Sequence, residues 1–280
     1  MDFRNVIFAI ALSFAVLFGW STIFENPQVN QKIVDQKNEN VEKKENQTYD
    51  SPSVNLEINK TLSISRKDAI NSIDRINFEN DNVRGSISLE GALIDDILFK
   101  KYKAKIESEE RVTYLNPAET KDGYFVETGW ASSSSGNIVL PNAKSLWKIR
   151  GNKKLSVGNP VIIEWDNKNG IIFKKKIELD DRFLFRVTQE VQNKSKERIE
   201  LYPYAQITRN QDPNVTDFYI LHEGFIGVFD EELKEEGYKD IKEKKKEFNA
   251  GEGWLGITDK YWLTALVPEK NQSFKGEFVY

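Results

Sequence analysis

Short runs in which apolar and polar residues alternate recur from residue 52 to the end of this chain. In FLFRVTQEV, the residues on one face are Phe183, Phe185, Val187, Gln189 and Val191, and the residues between them lie on the other face. A period of two residues is that of a half-buried β-strand. Most of the chain is therefore expected to fold by pairing short strands, with little helix.

Reverse-turn signals separate these runs, as in NPAETKDG (116–123), DNKNG (166–170), DDR (180–182) and NKSKE (193–197). Such residues favour turns because their backbones or side chains suit the required angles. Many short antiparallel strands at fairly even spacing predict a sandwich or a barrel. The one long charged stretch, residues 229–248, has few apolar residues at helical spacing, so we expect a solvated loop with at most one helical piece there.

Composition excludes several classes of function. The 280 residues are 39% hydrophobic, which is sufficient for a sizeable core. A net charge of −4 provides no basic field to attract nucleic acid, so no nucleic-acid partner is expected. The absence of cysteine excludes disulfides, thiolate metal sites and cysteine nucleophiles. With the single histidine His222, one copy of the chain cannot assemble a zinc site of two or three histidines or an epimerase site of two.

The N-terminal segment predicts a membrane anchor. Val6–Phe24 is a run of 19 residues without charge or proline, near the minimum for a membrane-spanning helix. A cleaved signal peptide is the alternative, but no A-x-A spacing follows the run, and Trp20 suits an interfacial position. Arg4 precedes the run, whereas the next basic residue is Lys32, so the N-terminus is expected in the cytoplasm. We assign residues 1–24 to the cytoplasmic N-terminus and anchor helix.

Residues 25–52 are rich in Asn, Gln, Lys and Glu and contain too few apolar residues to offset the entropy of ordering them. They predict a disordered linker, which leaves residues 53–280 as the folded domain. The chain as a whole is rich in asparagine, so we attribute its glycosylation-like sequences to chance. These sequences begin at Asn46, Asn59, Asn193, Asn214 and Asn271.

The candidates for acid–base or nucleophilic chemistry favour structural roles. His222 and Glu223 are adjacent, and adjacent residues in a strand point to opposite faces, so they are not expected to cooperate. The contiguous pairs Asp95–Asp96 and Asp180–Asp181 lie near strand ends or turns, where aspartate serves the backbone. The sequence SSSSG at 132–136 lacks the strand–turn–helix context of a nucleophile elbow.

The aromatic stretches around Trp130, Trp254 and Trp262 could stack against sugars, but large aromatic residues of a β-sandwich are usually core. We therefore predict no catalytic, cofactor-binding or metal-binding residue, no cofactor and no enzymatic activity.

The segment GWLGITDKYWLTALVP (253–268) is too short and too interrupted by charge to cross a bilayer. Its alternation predicts two strands joined at the turn-like TDK, with the tryptophans buried. The residues expected to face the core are Trp254, Ile257, Tyr261, Leu263, Ala265 and Val267.

Several stretches together resemble the N-terminal part of the YidC family of bacterial membrane protein insertases, in the alphaproteobacterial form. They cover nearly the whole chain outside the linker and occur in the family's order. They are RNVIFAIALSFAVLFGW (4–20), GSISLEGALIDDILFKKY (85–102), YFVETGW (124–130), GNPVIIEWDNKNGIIFKKKIELDDRFLFRVTQEVQNKS (158–195), LYPYAQITR (201–209), FYILHEGFIGVFD (218–230) and the segment 253–268.

The resemblance implies a first transmembrane helix followed by a periplasmic domain with an antiparallel β-super-sandwich fold similar to galactose mutarotases. It also implies a location in the bacterial inner membrane and a role in inserting inner-membrane proteins, alone or with the Sec translocon. The expected partners are nascent membrane proteins, the Sec translocon with its accessory subunits, and the lipid bilayer. The sandwich and its tryptophans suggest an alternative, a membrane-anchored or secreted carbohydrate-binding or mutarotase-like protein. The likeness to mutarotases is one of fold, and fold does not carry activity.

The family's insertase core, five further transmembrane helices with a positively charged hydrophilic groove, has no counterpart in this sequence. The chain stops at KGEFVY, which alternates like a strand with no turn after it. We therefore expect a truncated product or fragment that supplies the anchor and the periplasmic domain but not the groove.

Overall fold

The structure, a computed structural model, describes residues 64–132, 138–211 and 221–280. All of these residues belong to one unit, Gln47–Tyr280. The predicted anchor (1–24) and linker (25–52) lie outside the described residues. Within the described ranges, no helix is both long enough and apolar enough to span a membrane.

Two short helices, α1 (Arg66–Asn71) and α2 (Tyr238–Glu243), accompany the strands of the described chain. The strands are β1 (Arg75–Glu79), β2 (Val83–Ser88), β3 (Ile94–Lys103), β4 (Arg111–Leu115), β5 (Tyr124–Ser132), β6 (Lys148–Arg150), β7 (Lys154–Leu155), β8 (Val161–Asp166), β9 (Ile171–Leu179), β10 (Phe185–Asn193), β11 (Leu201–Arg209), β12 (Gly224–Phe229), β13 (Glu232–Glu236), β14 (Lys246–Ala250), β15 (Gly253–Thr258), β16 (Leu263–Leu266) and β17 (Phe274–Phe278).

The first sandwich consists of two sheets. The first sheet has the order β11-β5-β3-β2-β1-β7, with β4 also paired to β3, and the second has the order β10-β9-β8-β6. All of these pairs are antiparallel except β1 with β7. Side chains join the two sheets: the rings of Phe78 and Phe185 are 5.0 Å apart, as are those of Trp130 and Phe173.

A second, smaller sandwich follows in the sequence. The third sheet has the order β13-β12-β15-β16, and the fourth is the pair β14-β17. Phe229 of β12 stacks on Phe248 of β14 at 4.3 Å, and Phe225 lies 5.4 Å from Phe278 of β17. The predicted β-sandwich architecture is confirmed, and it contains two sandwiches in succession.

Polar contacts and aromatic packing join the two sandwiches where the hairpin β15–β16 meets the first sheet. Arg209 of β11 donates two hydrogen bonds to the carboxylate of Asp259, at 2.7 and 3.2 Å. The Tyr124 hydroxyl donates to Thr264 Oγ1 at 2.8 Å, and Thr264 Oγ1 donates to the hydroxyl of Tyr114 at 2.7 Å. A bidentate arginine–carboxylate pair fixes orientation as well as distance. The hairpin is thus held to the first sheet through side chains.

The strand and turns predicted around residues 166–197 are confirmed. β10 carries half-buried Phe185, Val187, Gln189 and Val191 on one face and exposed residues on the other. The turn signals at 166–170 and 180–182 lie between β8, β9 and β10, and 193–197 follows β10. Lys168 and Gly170 have φ values of 64° and 85°, which a tight turn requires.

Over residues 229–248 the expected helical piece is present, but the expectation that the rest is a solvated loop is wrong. This stretch contains β13, helix α2 and the start of β14. Tyr238 and Ile241 of the helix are buried, and β13 pairs with β12 at the edge of its sheet. An edge strand can carry many charges because one side of it faces water. The charged residues of β13 are therefore those of an edge strand.

The two strands predicted in 253–268 are confirmed as β15 and β16, but the assignment to the core is wrong for Trp254 of the first strand and for the face chosen on the second. Trp262 and Leu266 lie on the inner side with Thr264, whereas Leu263 and Val267 are 46% and 68% exposed. The pairing of Ile257 with Thr264 sets this register. A shift of one residue exchanges the two faces of a strand.

Replacing Gly85 by alanine is expected to destabilise the domain by about 1–3 kcal/mol, because overpacking a core has costs of this size. A Cβ atom on Gly85 would lie 1.8 Å from the carbonyl oxygen of Asp96 on the neighbouring strand. Gly251→Ala is the control, since its Cβ would lie 3.4 Å from the nearest atom outside its neighbours. Urea unfolding followed by tryptophan fluorescence measures both, and equal stabilities would contradict the packing described.

Candidate functional site

The histidine and one aspartate pair found in the sequence have structural roles. His222 donates from Nε2 to the carbonyl oxygen of Phe225 at 2.8 Å, which ties the segment before β12 to that strand. Asp180 accepts hydrogen bonds from the amides of Arg182 and Leu184 at 2.9 and 2.8 Å. This is the backbone role that was expected of it in the turn between β9 and β10.

The other pair, Asp95–Asp96, does not serve the backbone as predicted, because both side chains are buried in β3 and each binds an arginine. Arg75 pairs with Asp95 and Arg66 with Asp96, and Ser86 Oγ donates to Asp96 at 2.6 Å. Burial raises the pKa of Asp95 to about 6, against the lowering effect of Arg75. Because each carboxylate has its own cation, the pair is not an acid–base dyad.

The tryptophans differ in their exposure. Trp130 is 4% exposed and belongs to the core, as expected. Trp262 is half-buried, with its ring 4.5 Å from that of Phe99 and 4.7 Å from that of Tyr102. Trp254 is also half-buried, but it lies on the outer side of its sheet. The prediction that both indoles of the hairpin are buried therefore holds only in part.

Residues 133–136 of the serine-rich loop, which the sequence analysis considered as a nucleophile site, lie outside the described residues.

A buried lysine, which the sequence analysis missed, lies between the sheets of the first sandwich. Lys175 of β9 is 1% exposed, and its Nζ donates to the carbonyl oxygen of Thr128 on β5 at 2.6 Å. The same ammonium lies 4.8 Å from the ring centre of Trp147. Burial lowers the pKa of Lys175 to about 7, because removal from water disfavours the charged form.

Glu127 of β5 is the buried acid of the same region. It is 4% exposed, and its Oε1 accepts a hydrogen bond from the hydroxyl of Tyr204 at 2.7 Å. Burial raises the pKa of Glu127 above its usual value, and the pKa of Tyr204 is also raised by burial. Gln189 of β10 donates to the carbonyl oxygen of Gly129 at 2.6 Å.

An acid and an amine with pKa values shifted towards neutrality are typical of catalytic sites. Here neither group can reach a substrate, because Lys175 and Glu127 are both buried between packed strands. Lys175 and Gln189 bond β5 to the second sheet, whereas Glu127 bonds to Tyr204 of β11 in its own sheet. The sequence signal for Lys175 is GIIFKKKIEL, where alternation places it on the same face as Phe173 and Ile177.

Among residues 64–132, 138–211 and 221–280, no group of three or more histidine, aspartate or glutamate side chains is arranged to hold a metal ion.

The third sheet carries an exposed apolar surface. The outer face of the third sheet, which points away from the fourth sheet, is mainly apolar, and Glu235 and Thr258 are its polar residues. The cross-strand pairs Val228 with Leu233 and Val228 with Trp254 lie on this face. Exposed apolar surface of this kind marks a site of interaction. The apolar side chains of the outer face are Ile226, Val228, Leu233, Trp254, Leu263, Ala265 and Val267.

Comparisons with known proteins find similar sequences along the whole chain. The family model of the YidC periplasmic domain matches residues 75–280. The membrane protein insertase YidC of Pelagibacter ubique is 45% identical, over 100% of this chain and 49% of that protein. Those of Rickettsia bellii and Methylorubrum extorquens are 37% and 36% identical over 99% of this chain, and 48% and 49% of those proteins. The chain spans about half the length of the curated relatives it matches.

The buried lysine predicts a pH dependence of stability. The folded pKa of Lys175 is about 7 and the ordinary value is 10.5, so between these values the unfolded state binds more protons than the folded state. Stability contributed by this group therefore rises with pH across that window. We expect the free energy of unfolding to increase by about 1–2 kcal/mol between pH 7 and pH 9, and Lys175→Met to remove this increase.

The matched control is Lys176→Met, because the side chain of Lys176 is 44% exposed on the other face of β9. This variant is expected to keep the rise. Urea unfolding at several pH values measures all three proteins, and identical slopes for all of them would contradict a buried, uncharged Lys175.

Proposed function

The chain belongs to the YidC family of membrane protein insertases, and from this membership we propose that it supplies the membrane anchor and periplasmic interaction domain of an insertase. Residues 1–24 form the anchor, 25–52 the linker and 53–280 the periplasmic domain. In this proposal the N-terminus is cytoplasmic, the anchor lies in the bacterial inner membrane, and the domain acts by binding and not by catalysis.

The observation that carries the proposal is the match of residues 75–280 to the YidC periplasmic domain. Two features of the domain support a binding role. Its shifted acid and amine are buried away from solvent, and Leu233, Leu263 and Val267 of its outer face are exposed. Burial of Trp130 in the core weighs against sugar stacking by that residue, so the carbohydrate-binding alternative has less support.

The proposed partners follow from the family. Nascent inner-membrane proteins would be inserted by the part of a full-length relative that extends beyond the length matched here. The Sec translocon would be contacted through its accessory subunits by the periplasmic domain. Residues 1–280 are expected to bind within the insertion machinery.

Protease accessibility tests the proposed orientation. With the chain expressed in a Gram-negative host, proteinase K added to intact cells should leave it whole, because the outer membrane protects the periplasm. Opening the outer membrane should allow digestion of the domain while a short N-terminal membrane fragment is retained. Protection after opening, with digestion only in inverted inner-membrane vesicles, would contradict a periplasmic domain.

Copurification tests the proposed partners. The Sec accessory subunits should be recovered with the detergent-solubilised chain from membranes, and less of them with a chain whose residues 53–280 are replaced by an unrelated periplasmic domain. Equal recovery with both chains would contradict a partner-binding role for the domain.

A further inference from the structure

We propose that the outer face of the third sheet rests on the lipid bilayer into which the N-terminal apolar run inserts. The inference rests on the proposed function, which places anchor and domain on the same membrane. Val267, Leu233 and Leu263 of this face are 68%, 54% and 46% exposed. Contiguous exposed apolar surface on a soluble domain indicates contact with a protein or a membrane.

The outer face is apolar although the inner face of the same strands already fills a core. In β12, Phe225 and Phe229 point inward and are buried, while Ile226 and Val228 point outward. An antiparallel sheet with one face in water normally alternates apolar and polar residues. Here the outward positions are also apolar, so this face is suited to an environment less polar than water.

Aromatic residues on this side of the sheet suit the boundary of a bilayer. Trp254 lies within the face, and Tyr261 is 73% exposed at the tip of the β15–β16 hairpin. Tryptophan and tyrosine concentrate at the level of lipid headgroups, where one part of each ring is apolar and another can form hydrogen bonds.

Charge around the face does not favour a strongly anionic partner. Glu235 lies beside Ile226 on the outer side of β13, and Glu269 follows β16, while Lys260 and Lys270 flank the same hairpin. Because both signs occur, attraction to acidic headgroups is expected to add little. Apolar contact should dominate, so zwitterionic lipid is sufficient.

The predicted linker keeps this face within reach of the membrane. Thirty-nine residues separate Phe24, the end of the apolar run, from Ile64, the first described residue. A flexible chain of that length has a root-mean-square span of about 35 Å, and a domain of this size has a radius of gyration of about 17 Å. A linker of that length therefore permits contact of the outer face with the bilayer, and the apolar and aromatic residues of the face are what select it.

Spin labelling tests the inference, since the chain has no cysteine and accepts a single label. The full chain with Val267→Cys carries a nitroxide and is reconstituted in phosphatidylcholine vesicles, with or without phosphatidylglycerol. Oxygen partitions into lipid, whereas a nickel chelate stays in water. We expect the oxygen-to-nickel collision ratio at residue 267 to exceed that of a Thr188→Cys label by at least about threefold, as interfacial burial implies. Thr188 is exposed on the outer side of the second sheet.

A second pair of variants separates lipid contact from other causes. Leu263→Asp, added to the labelled Val267→Cys chain, should bring the ratio down to that of the Thr188 label. Ile162→Asp, at a residue 39% exposed on the second sheet, should leave the ratio unchanged. Circular dichroism verifies that each variant is folded.

Two results would overturn the inference. Equal ratios at residues 267 and 188 would place the face in water, and protection of residue 267 from both reagents would assign it to contact with a second copy or another protein. Flotation of the vesicles tests the proposed function separately. A chain that floats but shows a water-exposed label overturns only the lipid contact, whereas a chain that does not float overturns the anchor as well.

Discussion

Packing of the inner face of β9 against β5 is the interaction on which the rest of the domain depends. Ile171, Phe173 and Ile177 are almost fully buried there, and Phe173 lies 5.0 Å from Trp130. Removal of this apolar area from water is the main stabilising contribution expected of such an interface. The hairpin β15–β16 binds to the same strand, because Tyr124 of β5 donates a hydrogen bond to Thr264.

Two sandwiches in succession divide the domain into parts with different surfaces. In the first, the outer side of the second sheet is charged, with Lys174 paired to Glu190 and Arg150 to Glu164. In the second, the outer side of the third sheet is apolar. A domain of this kind has one side that prefers water and one that does not, which gives it a preferred orientation next to any apolar partner.

Much of this fold follows from the sequence alone, because alternation identifies strands wherever one face is apolar and the other polar. β10 meets this condition, and its face was predicted correctly from Phe185 to Val191, whereas Phe183 lies before the strand and is 46% exposed. β16 does not, since Leu263 and Val267 point outward while Trp262 and Leu266 point inward. Where both faces are apolar, alternation cannot distinguish inside from outside, and only the pairing with β15 sets the register. β13 is mostly charged, so its sequence does not indicate a strand. Its main-chain hydrogen bonds to β12 depend on the tertiary structure.

The sequence predicted less of the candidate site than of the fold. Lys175 belongs to a run of three lysines, and the surrounding alternation alone indicates that the middle one is buried. The partners of Asp95 and Asp96 are 20 and 30 residues away along the chain, so their ion pairs required the structure. Family resemblance could not replace these details, because it indicates which fold is present and not which charges are paired inside it.

The position of Lys175 has a consequence for chemical labelling. Amine-reactive reagents modify lysines that collide with solvent, and this amine lies between two sheets with its nitrogen bonded to the Thr128 carbonyl. An adduct on Lys175 can form only after β5 and β9 separate. The rate at which Lys175 is modified therefore reports how often the first sandwich opens. This holds in solution, in a membrane or when a bound partner pulls on the domain.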